Sequence, residues 1–236
     1  MQATSRERSP LFYARVAGSI YLFAMALGIF SQSYILDRLI VSGNAAATAA
    51  NILASAGLFR IGIAADTLTF VSDVVIGWAF YELLKPVDRS LALLGAFLRV
   101  ADGAILAGVT LNGLITLRLL SGADYLQGLD AHQVQSFARL FVSVRGVGFY
   151  IGFVFLGLGS AIFAWLLMKS RYVPKILAAW GVFASLVLAL GSLAVILSPW
   201  FAAHASLAFM LPMFCYEVPL GLWLLIKGVK QPQQGA

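Results

Sequence analysis

An arginine and an aspartate stand one helical turn apart in the apolar stretch FLRVADGAIL, as Arg99 and Asp102. Two other acids, Asp73 and Glu217, also fall inside long apolar runs. A guanidinium can hold a carboxylate in a bidentate ion pair, and a buried carboxyl group can give or take a proton. An ionised side chain at the centre of a membrane-spanning helix costs about 2.5–3.5 kcal/mol, so such residues face the interior of a bundle. These four residues are therefore the candidates for ligand binding or acid–base catalysis.

The composition indicates that the candidates belong to a membrane protein. Of the 236 residues, 61% are hydrophobic and 11% are charged, whereas ordinary soluble domains have about 25% charged residues. The net charge is +6, but the basic residues stand at the ends of apolar runs, which favours lipid headgroups over nucleic acid. We therefore expect one membrane domain over residues 1–236, in contact with the lipid bilayer and without a nucleic-acid partner.

Six apolar runs are long enough to cross a bilayer, for which about 20 helical residues suffice. Helix-terminating signals such as Lys85-Pro86 and Ser198-Pro199 stand at their ends. The pattern predicts an all-α fold, an integral membrane bundle of six transmembrane helices. The predicted spans lie near residues 14–33, 61–84, 91–119, 147–168, 175–197 and 206–226.

Two stretches outside the spans have helical periodicity. Residues 44–59 are rich in alanine, and residues 130–146 carry an apolar stripe. Asp130 and Gln133 have the spacing of a capping box at the start of the second stretch. We predict two short amphipathic helices on the outer face, which either cover the mouth of the bundle or form a lid over an entrance. The polar tail, residues 231–236, is expected to be disordered.

The distribution of basic residues predicts the orientation. If the N-terminus is cytoplasmic, ten of the sixteen lysines and arginines lie on the cytoplasmic side, five lie on the other side, and Arg99 lies within a span. The positive-inside rule then places both termini in the cytoplasm. The first run lacks a small-x-small cleavage site, so we expect a retained helix rather than a signal peptide. The ten residues are Arg6, Arg8, Arg15, Lys85, Arg89, Lys169, Arg171, Lys175, Lys227 and Lys230.

The four candidates fall at similar depths when residues are counted along each helix at about 1.5 Å per residue. From the cytoplasmic end, Arg99 lies about 12 Å deep, Glu217 about 14 Å, and Asp73 and Asp102 about 16 Å. We therefore expect the second, third and sixth helices to bring these side chains together near the bilayer midplane.

Asp66 lies on nearly the same stripe of the second helix as Asp73, but about 27 Å from the cytoplasmic end. This depth is close to the outer mouth of the bundle. Arg60 and Arg145 are the expected alternatives for its partner. We interpret the resulting ion pair as structural.

The predicted midplane cluster contains three carboxyl groups and one guanidinium. Arg99 can satisfy one carboxylate, or two if it shares its donors. At least one of the three acids is then left without a full counter-charge. We expect this acid to hold a proton at neutral pH, because an unpaired buried charge is costly.

Several stretches carry a resemblance to a known family. They are GLFRIGIAADTLTFVSDVV, YELLKPVDRSLALLGAFLR, SGADYL, GFYIGFVFLGLG and LWLLIKGV, and they run from about residue 15 to residue 229. In this combination the chain resembles the bacterial family catalogued as domain of unknown function 4386. The resemblance implies a multi-pass protein of the bacterial inner membrane with no established activity, and it assigns no catalytic residue.

Three classes of function remain open. The sequence has no nucleotide-binding loop, dinucleotide fingerprint, nucleophile elbow or metal-ligand spacing, so we predict no cofactor and no metal. An enzyme would use carboxyl acid–base chemistry on a lipophilic small molecule, with Asp73, Asp102 or Glu217 as proton donor and Arg99 tuning its neighbour. The alternatives are a proton-coupled small-molecule transporter, for which the modest chain length favours a homodimer, and a non-catalytic membrane scaffold in which the cluster locks three helices together.

Overall fold

The computed structural model describes residues 9–122, 128–205 and 208–229. Within these ranges the chain is helical, without β-strands. Six of the described helices are long and apolar enough to cross a membrane. The predicted all-α bundle of six transmembrane helices is therefore confirmed. The tail at 231–236, for which we predict disorder, lies outside the described residues.

The spanning helices are joined by short connections, two of which contain a short helix. The first spanning helix, α1, runs into a π-helical segment and a final α-helical turn. In chain order the elements are α1 (Pro10–Ile29), the π-helix Phe30–Leu36, the turn Asp37–Leu39, α2 (Ala45–Ala54), α3 (Ala56–Leu84), α4 (Arg89–Leu120), α5 (Ala131–Ser170), α6 (Lys175–Leu197), α7 (Pro199–Ala205), a 3-10 turn (Ala208–Met210) and α8 (Leu211–Ile226).

Local sequence signals set the helix ends. The predicted capping box is present at the start of α5: Gln133 N donates to the Asp130 carboxylate at 2.8 Å, and Asp130 N donates to the Gln133 side chain at 3.0 Å. Each bond satisfies a backbone N–H that has no partner within the helix. Proline sets a C-terminal end: α3 stops at Leu84, two residues before Pro86, as the Lys85-Pro86 signal predicts.

The two short helices predicted on the outer face take different forms. The first is the separate helix α2, which ends at Ala54 because the backbone of Ser55 leaves the helical conformation before α3 begins. The second is continuous with the fourth span, and residues 131–146 form the first turns of the 40-residue helix α5. No proline or polar turn separates the amphipathic stripe from the apolar run, so the helical hydrogen bonds continue through both.

The six spanning helices form a closed ring. Each packs against two neighbours, in the order α1, α3, α4, α5, α6, α8 and back to α1. Glycines allow the close approaches: a Cβ atom on Gly18 of α1 would lie 2.6 Å from the carbonyl oxygen of Gly221 in α8. A Cβ on Gly157 of α5 would lie equally close, 2.6 Å, to the carbonyl oxygen of Ser185 in α6. Small residues of this kind let membrane helices pack backbone against backbone.

The two ends of the ring are filled differently. We call the end where Leu11 contacts Gly228 the terminal face, and the other end, which carries α2, the opposite face. Near the terminal face the centre of the ring is closed by large buried apolar side chains. Among them are Phe80, Leu83, Leu84, Leu166 and Leu167. A second, smaller apolar cluster packs α2 against α3 at the opposite face.

Candidate functional site

A cavity of about 890 Å³ reaches from the middle of the ring to the opposite face. Its rim includes the exposed side chains of Gln32 and Asp37, at the end of the first span. Its deep end includes Tyr21 of α1. The four side chains that the sequence predicts to converge all line this cavity: Asp73, Arg99, Asp102 and Glu217.

Arg99 of α4 is the centre of the deep cluster. It forms an ion pair with Asp73 of α3, and only 2% of its surface is exposed. Its Nη1 donates to the hydroxyl of Ser160 in α5 at 3.4 Å, and its guanidinium lies 5.6 Å from the centroid of the Tyr21 ring. Gly77 of α3 gives the arginine room, since a Cβ there would lie 3.2 Å from Arg99 Cβ. One arginine thus contacts side chains from three other spanning helices.

Asp102 stands one turn after Arg99 but does not pair with it. The residue is 0% exposed, and neither carboxyl oxygen has a hydrogen-bond partner among the residues that the structure describes. The carboxyl group occupies space left by Gly152 of α5: a Cβ on this glycine would lie 2.9 Å from Asp102 Oδ1 and 2.6 Å from Leu106 Cδ2. Asp102 is therefore a buried acid whose position is set by the packing of α4 against α5. It has no ion-pair partner among the described residues.

Glu217 of α8 is the most exposed acid of the deep cluster. It is half-buried, whereas Asp73 and Asp102 are buried, and the Tyr21 side chain lies beside its carboxyl group. Two residues later, Pro219 interrupts the hydrogen bonds of α8 from within the helix. Glu217 is consequently the most accessible acid of the deep cluster.

A second ion pair lines the same cavity nearer to the opposite face. Asp66 of α3 pairs with Arg145 of α5, and both residues are 6% exposed. The prediction of Arg145 as one of two alternatives is thus confirmed. The guanidinium of Arg145 lies 5.0 Å from the centroid of the Phe149 ring. The sequence favours a structural role for this pair near the outer mouth, and in the structure it also forms part of the wall of the same cavity.

Aromatic side chains form the wall between the two ion pairs. Phe70 of α3 lies 6.0 Å from Phe149, measured between ring centroids, and Phe149 lies 5.9 Å from Phe153. Tyr150 lies 6.4 Å from Phe153. All four line the cavity, so its wall is apolar and aromatic between two charged levels.

Sequence reasoning did not identify Tyr21, Ser160 or this aromatic wall as parts of the site. The spacing of Phe149 and Phe153 puts both on one face of α5, which would have been a usable signal. Tyr21 and Ser160 gave no comparable signal, because both lie in apolar runs where aromatic and small residues are common. Within the described ranges, no group of three or more His, Cys, Asp or Glu side chains is placed to hold a metal ion.

Comparison with models of protein families gives a match over most of the chain. The model of a protein family described as "Domain of unknown function (DUF4386)" matches residues 16–228 of the chain. No curated protein and no solved structure is detectably similar to the chain. The matched segment includes both ion pairs, the aromatic wall and all four predicted site residues.

Proposed function

The chain belongs to this family of unknown function, DUF4386, and we propose that it binds a lipophilic small molecule inside its membrane bundle and exchanges a proton with it. The observation that carries the proposal is Asp102, a fully buried acid in the wall of a cavity without a hydrogen-bond partner among the described residues. Acids that serve only to join helices are expected to have a partner, as Asp66 and Asp73 do. An unpaired acid beside a cavity of this size is better explained by a ligand.

Charge balance favours a protonated Asp102. The guanidinium of Arg99 is already paired with Asp73, so an ionised Asp102 would be an uncompensated buried charge, which costs several kcal/mol. A neutral carboxyl group avoids this cost and can act as a general acid. In this proposal Glu217 contacts the ligand, Asp102 supplies the proton, and the ion pair of Arg99 with Asp73 holds α3 and α4 in place.

The cavity volume and lining fit a small organic molecule. Pockets that bind such molecules measure about 300–1,000 Å³ and have mostly apolar walls with a few polar groups that fix orientation. Here the apolar part includes Ile76, Leu106 and Leu156, and polar groups stand at the deep end, at the outer ion pair and at the rim. A lipophilic substrate fits this arrangement.

Proton-coupled transport of such a molecule is the second candidate function. The shape of the ring favours it, because the cavity reaches the opposite face while buried apolar side chains, among them Phe80 and Leu166, close the terminal face. One-sided access to a central site is one of the two states that alternating access requires. A transporter of this size is expected to act as a homodimer, which light scattering on the purified protein tests.

We propose that the terminal face is cytoplasmic and that the protein resides in the bacterial inner membrane, since seven of the thirteen lysines and arginines among the described residues lie toward that end. Cysteine labelling in a Cys215→Ala background tests the orientation. Ser121→Cys, near the opposite face, should react with an impermeant maleimide on intact cells. Ser90→Cys, near the terminal face, should react only after the cells are permeabilised. The reverse pattern would overturn the orientation.

Ligand extraction tests the proposed function. Wild type, Asp102→Asn, Glu217→Gln and Ser192→Ala are purified, and co-purifying lipophilic compounds are identified by mass spectrometry. Ser192 is the matched control: its hydroxyl is buried and without a hydrogen-bond partner among the described residues, as the Asp102 carboxyl group is, but Ser192 does not line the cavity. A compound retained by wild type and Ser192→Ala, and lost from the two cavity variants, supports the proposal. Identical extracts from all four proteins contradict it.

A further inference from the structure

We propose that the ligand is a lipophilic amine whose nitrogen, once protonated, is held by the carboxyl groups of Asp102 and Glu217. This inference rests on the proposed binding function and adds the chemical class of the ligand. It is argued from the charges around the cavity, from the aromatic wall and from the apolar remainder of the lining.

The charges around the cavity leave a deficit of positive charge at its deep end. Among the described lining residues, Arg99 is paired with Asp73, and Arg145 is paired with Asp66. At the rim, Arg139 contributes one positive charge and Asp37 one negative charge, so these two residues do not change the charge balance. Asp102 and Glu217 are left at the deep end without a guanidinium or ammonium partner in the described part of the chain. A cationic group on the ligand supplies the missing charge.

A proton transfer explains how such a ligand reaches this site through an apolar environment. The neutral amine, with its lone pair free, is soluble in the apolar surroundings. At the deep end the nitrogen lone pair takes the proton from the neutral Asp102 carboxyl group: an N–H bond forms, the O–H bond breaks, and the electron pair stays on the carboxylate oxygen. The products are an ammonium ion and a carboxylate, so the net charge inside the cavity does not change.

The aromatic wall favours the same ligand chemistry. Organic cations are attracted to the faces of aromatic rings, and recognition of ammonium groups by clustered rings is a common use of this effect. Two rings of this cavity already carry a cation, since Arg99 lies over Tyr21 and Arg145 lies over Phe149. Phe70 and Phe153 line the cavity close to Phe149, in the section that a ligand nitrogen passes on its way to Glu217.

An anionic ligand fits this lining poorly. Arg99 Nε has no hydrogen-bond partner among the described residues, but the charge of the guanidinium is already neutralised by Asp73. An anion would have to displace that carboxylate and would also approach Asp102 and Glu217. An uncharged ligand without a basic nitrogen cannot take the proton of Asp102 and leaves Glu217 without a counter-charge, and so gains less from the site than an amine does.

Three probes that share one apolar body test the inference: 1-adamantylamine, 1-adamantanol and adamantane-1-carboxylate. Their affinities for the purified wild-type protein in a non-ionic detergent are measured by isothermal titration calorimetry. We expect the amine to bind about tenfold or more tightly than the alcohol and the carboxylate. Glu217→Gln and Asp102→Asn should each lower the affinity for the amine by about tenfold or more and leave that for the alcohol unchanged. Ser192→Ala should change neither.

Proton release gives a second, independent measurement. Adamantylamine is protonated in water, so its binding beside a neutral Asp102 should release about one proton to the buffer, which titrations in buffers of different ionisation enthalpy measure. The release should vanish in Asp102→Asn. Unchanged binding of the alcohol shows that each variant is folded.

The outcomes separate this inference from the proposed function. Equal affinities for amine and alcohol, or tighter binding of the carboxylate, would overturn the amine inference while leaving a cavity that binds small molecules. Absence of binding by all three probes, together with identical lipid extracts from wild type and cavity variants, would overturn the proposed function itself. Loss of alcohol binding in Glu217→Gln and Asp102→Asn would also count against the amine inference, because it would show that the acids support the cavity rather than the nitrogen.

Discussion

Two ion pairs line the cavity, and both are built in the same way. Each joins an aspartate of α3 to an arginine of another helix, α4 in the deep pair and α5 in the outer pair, and each arginine lies over an aromatic ring. The outer pair, Asp66 with Arg145, is complete in itself. The deep pair, Asp73 with Arg99, has two additional acids beside it. The difference indicates that pairing alone serves to join helices, whereas surplus acid at the deep end marks the part of the cavity where a ligand is needed.

Removing the arginine from each pair should give the largest effect. Arg99→Met leaves the carboxylates of Asp73 and Glu217 without a nearby cation, whereas Arg145→Met leaves only that of Asp66. Breaking a buried pair costs about 3–5 kcal/mol, and we expect Arg99→Met to reach the upper end of that range and Arg145→Met the lower. Thermal unfolding of the purified proteins in mild detergent, followed by tryptophan fluorescence, checks the order. Equal destabilisation would show that the additional acids do not depend on Arg99.

Removing the charge from the outer acid should have a smaller effect. Asp66→Asn keeps the shape of the side chain but leaves the buried Arg145 guanidinium without its counter-charge, and the expected loss of stability is about 1.5–3 kcal/mol. The double variant Asp66→Asn with Arg145→Met should recover part of this loss, because no unpaired charge remains. A double variant less stable than either single variant would contradict the pairing.

Filling the space beside Asp102 should cost about 1–3 kcal/mol. In Gly152→Ala the new methyl group would lie 2.6 Å from Leu106 Cδ2 and 2.9 Å from Asp102 Oδ1, so both side chains must shift. The matched control is Gly108→Ala in α4, where a Cβ would contact nothing within 4 Å. Unfolding temperature and retention of the co-purifying compound are measured together. Normal retention in Gly152→Ala would show that the position of Asp102 is not needed for binding.

The smallest effect on stability is expected from Asp102→Asn. An unpaired, protonated carboxyl group is close to an amide in charge and shape, so the change should be less than about 1 kcal/mol. Infrared difference spectroscopy checks the protonation state directly: the band of a protonated carboxyl group in wild type should be absent in Asp102→Asn. A destabilisation as large as that of Asp66→Asn would show that Asp102 is an ion-pair partner like the others.

The sequence predicts the deep cluster better than it predicts the pairing within it. Counting along apolar helices places Asp73, Arg99, Asp102 and Glu217 at one depth, because the rise per residue is fixed. Counting residues along the helices does not show which acid pairs with Arg99. That choice depends on backbone approach at glycines, such as Gly152 beside Asp102, and the sequence does not reveal which helix faces which in a ring.

For the fold as well, the sequence predicts local features better than it predicts contacts between helices. The six spans follow from apolar length, and the start of α5 follows from the Asp130 capping box, since both are local properties. The continuity of residues 131–146 with the fourth span was missed, because an amphipathic stripe and an apolar run differ in composition although the helix is the same. The contribution of Tyr21 was missed because it depends on the packing of α1 beside α3 and α8.

The length of α5 separates the two ion pairs along the axis of the bundle. Forty helical residues extend about 60 Å, twice the thickness of a hydrocarbon core of about 30 Å. Arg145 lies twenty-five residues from Ser170, about 37 Å along the helix, so the outer pair lies nearer to the opposite face than Arg99 does. Dissolved ions screen charges only where water reaches them. Both ion pairs are buried, so high ionic strength should leave them intact and weaken only the interactions of exposed charges at the rim, such as Asp37.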